Sequence, residues 1–313
     1  MKFSSSQATA LTMSVALLLT ATACNRGGGD TASEGDSVTL AVSTLNNPFF
    51  VELRDGAQEA ADEAGITLDV IDAQNDSATQ TNQLATAATS GTDGVIINPV
   101  DSDAAAAAVS PLVEDGTPVV AVDRAVNGAE VQSLVSSDNV AGGKQAAEEL
   151  ARAMGEKGKV IVLQGVAGTS ASRDRGAGFT EGLAAYPDIE VVAQQTANFD
   201  RAEALNVATN LLQSNPDVTG IFAENDEMAL GAIQALGDRA GSEVSVVGFD
   251  GTEEGLAAIE AGTMTATIAQ QPAELGKRSV EVLAQLLNDE SVESTIPVPV
   301  TTVNEENVGE FTE

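Results

Sequence analysis

From Val38 onward, short apolar runs alternate with longer Ala/Glu/Leu-rich stretches, and this alternation limits the fold more than any other feature. The runs occupy residues 38–42, 67–71, 94–97, 118–122 and 131–135, then 159–163, 190–193, 220–223, 244–249 and 265–269. Continuous apolar runs this short read as strands buried on both faces. Helix punctuation falls between them. Residues 50–64 end at Gly65, residues 227–236 end at Gly237, and Asp76, Asp103 and Asp226 stand where N-caps are expected. Strands separated by helices need crossover connections, so the sheets should be parallel and covered by helices. One parallel sheet of ten strands would be unusual, so two sheets of about five each are expected. The break falls near Ser136-Ser137-Asp138-Asn139. Residues 272–287 supply a further helix. In residues 296–300, Pro297 and Pro299 push an extended run towards a sheet edge or an interdomain crossing.

In open α/β sheets, ligands bind beyond the carboxyl ends of the strands. The first strand hands over to a helix through Ser43-Thr44-Leu45-Asn46-Asn47-Pro48-Phe49-Phe50, with Pro48 suited to a first helical turn. The chain has eight Phe, one Tyr and no Trp, so two rings in this loop concentrate a scarce residue. The other strand ends carry Asn98, Asp123-Arg124, Gln164, Asn198-Phe199, Asn225-Asp226, Phe249-Asp250 and Gln270. A sugar calls for this mixture. Its C–H faces stack on aromatic rings, and its hydroxyls both donate and accept. Each residue also has a plainer use: Asp226 and Asp76 as helix caps, Phe249 as core, and Arg173 or Arg175 as a partner of Asp174.

Other chemistries find little support. The chain has no His, which removes His-based nucleophile activation and His metal ligation. No Walker loop or G-x-G-x-x-G follows a strand, and the segment Gly165-Val166-Ala167-Gly168-Thr169-Ser170 lacks the Lys of a phosphate loop. No metal or cofactor is expected. Asp123 and Asp250 leave a glycosidase acid/base pair as an alternative. With 47 acidic against 14 basic residues, the net charge of −33 argues against nucleic acid as a partner. The same excess suits a protein working in concentrated salt, or merely a solubilising surface. At the N-terminus, Lys2 and an apolar stretch over residues 10–23 have the form of an export signal, too short for a membrane span. The chain's single Cys, Cys24, follows it and is expected to carry a lipid anchor, with residues 25–37 as a flexible tether. Ala21-Thr22-Ala23-Cys24 resembles a bacterial lipobox, although Ala21 stands where Leu is usual.

Long contiguous motifs then carry a family resemblance: residues 42–50, Ile97-Asn98-Pro99-Val100-Asp101-Ser102-Asp103, residues 137–140, 168–171, 222–231, 247–252 and 266–270. Over residues 38–303 the chain resembles the bacterial D-ribose-binding proteins, substrate-binding subunits of ABC sugar importers with the type I periplasmic-binding-protein fold. The resemblance implies an α/β fold of two similar lobes, each a parallel sheet flanked by helices on both faces, joined by a three-crossing hinge. The expected division is a signal peptide over 1–23, a tether over 24–37, an N-terminal lobe of 38–137 plus 271–299, and a C-terminal lobe of 138–270 plus 300–313. It further implies that Asn47, Asp123, Arg124, Arg175, Asn225, Asp250 and Gln270 hydrogen-bond a pyranose and that Phe49, Phe50, Phe199 and Phe249 stack on it. The implied partners are D-ribose and the permease subunits of an ABC importer with its cytoplasmic ATPase. The implied protein is a monomer held outside the cytoplasmic membrane. Glu224 departs from the pattern where Gln is expected, and Asn198 where Asp is expected. Relatives that bind allose, xylose or galactose keep another monosaccharide open as the ligand. A sugar-responsive transcriptional regulator shares the lobes but needs an N-terminal DNA-binding motif and a basic surface.

Overall fold

The computed structural model describes residues 35–312. The expected export signal, tether start and lipid-bearing Cys24 lie outside the described residues. Five strands open the described residues: β1 (Ser37–Val42), β2 (Thr67–Asp72), β3 (Gly94–Ile97), β4 (Val119–Val122) and β5 (Ser133–Ser137). They are connected by helices α1 (Pro48–Ala64), α2 (Ser77–Ser90) and α3 (Ala106–Glu114), with a loop between β4 and β5. The chain then crosses into a second unit of the same design. This comprises α4 (Asn139–Ala153), β6 (Lys157–Gln164), α5 (Ser170–Leu183), β7 (Asp188–Thr196), α6 (Arg201–Ser214) and β8 (Gly220–Ala223). It continues through α7 (Asp226–Leu236), β9 (Ser245–Asp250), α8 (Glu253–Glu260) and β10 (Ala266–Ala269). Helix α9 (Pro272–Leu287) and β11 (Thr295–Val298) return to the first unit, and β12 (Thr301–Asn304) returns to the second.

The strand orders are β11-β5-β4-β3-β1-β2 and β12-β10-β9-β8-β6-β7, so the two sheets repeat one topology. Each therefore has its switch point beside its first strand, where open α/β sheets bind ligands. The expected parallel sheets need one correction. β12 runs antiparallel to β10. β11 is parallel to β5 and ends at the hinge, and the chain re-enters the second sheet after only Pro299 and Val300. Starting from the carboxyl ends of the other strands, β12 can only run the opposite way. The Pro-containing run thus serves both expected roles: β11 is an edge strand, and its end is a crossing.

Each sheet is buried on both faces. Val38, Leu40, Val42 and Ile96 pack towards α1 and α9, while Val95, Ile97 and Ala121 pack towards α2 and α3. Ile161, Leu163, Ala223 and Val246 face α6 and α7, while Val160, Val162, Phe222 and Val247 face α4 and α5. This two-sided burial accounts for the lack of polar alternation in the strands. The caps differ in part from the sequence reading. Asp76 does cap α2 through Thr79 N–H. Asn225, not Asp226, caps α7 through Met228 N–H. Asp101, not Asp103, accepts the backbone N–H groups of Asp103 and Ala104 ahead of α3.

Candidate functional site

The carboxyl ends of the two sheets face each other across a cleft, and ten of the eleven candidate binding residues line one cavity in it. Asn47, Phe49, Phe50, Asp123 and Arg124 come from the first lobe, and Arg175, Phe199, Asn225, Asp250 and Gln270 from the second, together with Ala171. These residues converge from both lobes on one small space between the two sheets.

Each wall is built from local rules. Pro48 opens α1, and the Asn47 side-chain oxygen accepts Phe49 N–H at 2.9 Å as its N-cap, which leaves the amide NH2 group free to donate. Asn225 repeats the device at α7, accepting Met228 N–H at 3.0 Å while its own amide donates to the Phe199 carbonyl at 3.4 Å. Phe49 and Phe50 meet edge to face, with centroids 5.1 Å apart. Three lining residues sit at backbone angles that L side chains seldom adopt: Asp123 (φ 63°), Phe199 (φ 57°) and Asp250 (φ 124°). Such strain persists only where the surroundings over-determine it, and it clusters at binding sites. Gly165 makes room for Phe199, since a Cβ there would lie 2.0 Å from the ring.

The charged groups form two Arg–Asp pairs. Asp123 Oδ2 accepts from the Asn98 amide at 3.0 Å and lies 3.5 Å from Arg124 Nε. Arg124 Nη1 donates to the Pro99 carbonyl at 3.0 Å, and its guanidinium lies 5.2 Å from the Phe50 ring and 5.5 Å from the Phe199 ring. Arg175 Nε donates to Asn139 Oδ1 at 2.8 Å, and Nη1 donates to the Glu224 carbonyl at 2.6 Å. The same Nη1 lies 3.5 Å from Asp250 Oδ1, which also accepts the Gln270 amide at 2.7 Å. Burial pushes the Asp123 carboxyl up, against the pull of Arg124 and Arg175. It pushes Asp250 up further, opposed by Arg175 and reinforced by Asp226. It also lowers Arg124. With two guanidinium groups matched to two carboxyl groups, the cavity carries no excess charge and suits an uncharged ligand.

Three buried polar atoms of this constellation have no hydrogen-bond partner: Asp123 Oδ1, Arg124 Nε and Gln270 Oε1. Each unmade buried hydrogen bond costs roughly 1–3 kcal/mol, so a ligand that both donates and accepts is strongly favoured there. Asp123 Oδ1 and Gln270 Oε1 accept while Arg124 Nε donates, and a hydroxyl-rich ring can meet both demands at once.

Phe249 stands apart. It is fully buried beneath the Arg175 guanidinium, 3.9 Å from ring centroid to guanidinium carbon, and packs in the core that covers α4 rather than on the cavity wall. Of the two arginines near the start of α5, Arg175 is buried in the site, while Arg173 is exposed and donates to the Gly168 carbonyl. Gln164 lies outside the cavity wall. Several residues act as supports, a role the sequence did not assign to them. Asn139 orients Arg175. Buried Asp226 accepts the N–H groups of Gly251 and Thr252 and the hydroxyls of Thr252 and Thr267, which fixes the turn that carries Asp250. Glu224 accepts Gly165 N–H at 2.7 Å and the Ser172 hydroxyl. Helix starts rich in Asn and Asp look alike in sequence whether they cap or brace, so Asp226 read as a cap, while Glu224 stood out only as a departure from the pattern. No cluster of metal-ligating residues occurs among the described residues, and no described helix is long and apolar enough to cross a membrane.

Residues 38–291 match the family described as a periplasmic binding protein domain. The chain belongs to this family. It is 46% identical over 284 residues to the ribose import binding protein RbsB of Escherichia coli K12, covering 91% of this chain and 96% of that protein. Against the ribose import binding protein RbsB of Bacillus subtilis 168 it is 42% identical over 297 residues, covering 93% and 95%. Among solved structures, an ABC transporter periplasmic solute-binding protein from Actinobacillus succinogenes 130z with bound D-allose superposes with a TM-score of 0.83 at 32% identity, covering 88% of this chain and 99% of that one. Family and fold make the chain a solute-binding protein of the ABC-transporter type and not an enzyme. This removes the glycosidase reading of Asp123 and Asp250.

Proposed function

We propose that this chain is the extracytoplasmic subunit of an ABC sugar importer that captures D-ribose in the interlobe cleft and delivers it to the permease. Asp123 Oδ1, Arg124 Nε and Gln270 Oε1 carry the reading: they are buried, without hydrogen-bond partners and of complementary sense, in a charge-balanced cavity between the lobes. The identity to ribose import binding proteins directs the choice of sugar. The expected roles are hydrogen bonding for Asn47, Asp123, Arg124, Arg175, Asn225, Asp250 and Gln270, and stacking for Phe49, Phe50 and Phe199. Phe249 acts through Arg175.

Binding couples to closure because the two walls belong to different lobes. A ligand that touches both walls only when they meet shifts the population to the closed form. The lobes divide as 38–137 plus 271–299 and 138–270 plus 300–313, and the crossings at residues 137–139, 269–272 and 298–301 serve as hinge. The closed surface presents itself to the permease. Residues 1–23 direct export, and acylated Cys24 holds a monomeric protein to the outer face of the membrane. Mass spectrometry of the membrane fraction tests the anchor, and an unmodified soluble form alone would remove it.

A second reading, that the sugar is a different monosaccharide, is favoured by the likeness to the D-allose-bound solute-binding protein. Calorimetric titration of ribose, allose, xylose, arabinose and galactose separates the two. The proposal expects ribose to bind tightest with one site per chain, and tighter binding of any other sugar would replace it.

A further inference from the structure

Away from the hinge, the described residues contain three direct hydrogen bonds between the lobes, and all three involve Ser102 or Ser170. Ser102 N–H donates to the Gly168 carbonyl at 3.1 Å. Ser170 N–H donates to Ser102 Oγ at 3.0 Å. Ala125 N–H donates to Ser170 Oγ at 2.8 Å. The first lobe contributes the loop after β3 and the residue after Arg124, and the second contributes the start of α5. Ser102 is fully buried there, and its own carbonyl accepts Asn127 N–H at 2.7 Å, which fixes its loop within the first lobe. The approach is close. Gly168 has φ +96°, and a Cβ there would lie 2.3 Å from Asp101 Oδ2 across the gap.

We propose that the Ser102 and Ser170 hydroxyls are positioning groups that latch the lobes together independently of the sugar and so set the affinity for every sugar the cleft accepts. This rests on the sugar-binding reading above. Neither serine lines the sugar cavity, but Ser170 precedes Ala171, which does, and its partner Ala125 follows Arg124, which does too. The three bonds exist only when the lobes meet. When they part, the same groups face water. Removing a hydroxyl therefore penalises the closed form alone, and the apparent affinity falls with the fraction of molecules able to close. Because the latch does not touch the ligand, its loss scales all sugars by one factor and leaves their ratio unchanged. A residue that contacts the sugar would change that ratio.

The test uses Ser102→Ala, Ser170→Ala and the double variant, each titrated with ribose and with one weaker-binding sugar by calorimetry. Small-angle scattering and thermal melting are measured without sugar. The expected result for each single variant is a roughly threefold to tenfold affinity loss, equal for both sugars, as for one net hydrogen bond. Where the sugar-free protein is already largely closed, part of this effect instead reads as a larger radius of gyration in the variant. Unchanged affinity together with unchanged scattering in a cooperatively melting variant would overturn the latch, as would a shift in the sugar ratio. Gly168→Ala supplies a second route if the double variant does not fold. It should weaken both sugars equally by obstructing closure, and equal affinity to the parent would count against the latch. Failure of the unaltered protein to bind any sugar would defeat the parent reading instead, so the two failures are distinct.

Discussion

Replacing Glu224 by Gln should raise stability above neutral pH. Glu224 is fully buried, and its carboxylate accepts from Gly165 N–H and the Ser172 hydroxyl while Oε1 has no partner. The facing ionised group is Arg175, whose Nη1 binds the Glu224 backbone carbonyl rather than its carboxylate. Burial, against the pull of these two donors and Arg175, raises the carboxyl from its ordinary 4.5 to about 7. The folded chain therefore binds this proton more tightly than the unfolded chain. The stability it supplies is complete below the unfolded value and is lost as pH rises through about 7. At ~1.4 kcal/mol per pH unit, the displacement amounts to about 3 kcal/mol. Gln keeps an acceptor for Gly165 and Ser172 and carries no charge to desolvate. Thermal melting of parent and Glu224→Gln from pH 4 to pH 8.5 should give curves that lie closest at the acid end, separate between about pH 4.5 and pH 7, and keep a constant gap above that. The variant should melt roughly 6–12 °C higher at pH 8, at about 2–4 °C per kcal/mol. Asp226 and Asp250 add slope to both proteins, so only the difference between the curves reports on Glu224. Parallel curves would refute the reasoning.

Three other outcomes follow from the site and the surface. Asp250→Ala removes the carboxylate 3.5 Å from Arg175 and the acceptor of the Gln270 amide, so ribose affinity in calorimetry should fall at least ~tenfold; an unchanged affinity would remove Asp250 from the site. Phe249→Leu should lower stability by about 1–2 kcal/mol and reduce affinity only through Arg175; a melting temperature equal to the parent's with abolished binding would place the ring on the sugar. The net charge of −33 predicts a melting temperature that rises between low and molar salt, since the screening length shrinks to ~3 Å at 1 M; a flat curve would favour ordinary surface charge.

Much of this architecture was legible because burial on both faces leaves a plain mark. Runs such as residues 94–97 and 220–223 carry no polar residue, and both are strands with those same limits. The strand ends were legible for the opposite reason: a polar or aromatic residue directly after a buried strand stands out, and ten of the candidates line one cavity. Phe249 did not follow because it lies one residue before the strand end. Successive strand residues point to opposite sides, and while Asp250 reaches the cleft, Phe249 turns into the core beside α4. The braces were hidden for another reason. Asn139 and Asp226 owe their roles to partners 36 and 41 residues away, Arg175 and Thr267, and no local period encodes such pairings. The reversal of β12 depends on where the hinge delivers the chain, which is a property of the assembled sheets.

A crystal structure of the protein grown with D-ribose tests the central claim most directly. The account predicts one sugar between the lobes, with its hydroxyls within hydrogen-bond reach of Asp123 Oδ1, Arg124 Nε and Gln270 Oε1. A sugar bound elsewhere, or a cleft-bound sugar that leaves those three atoms without partners, would contradict it.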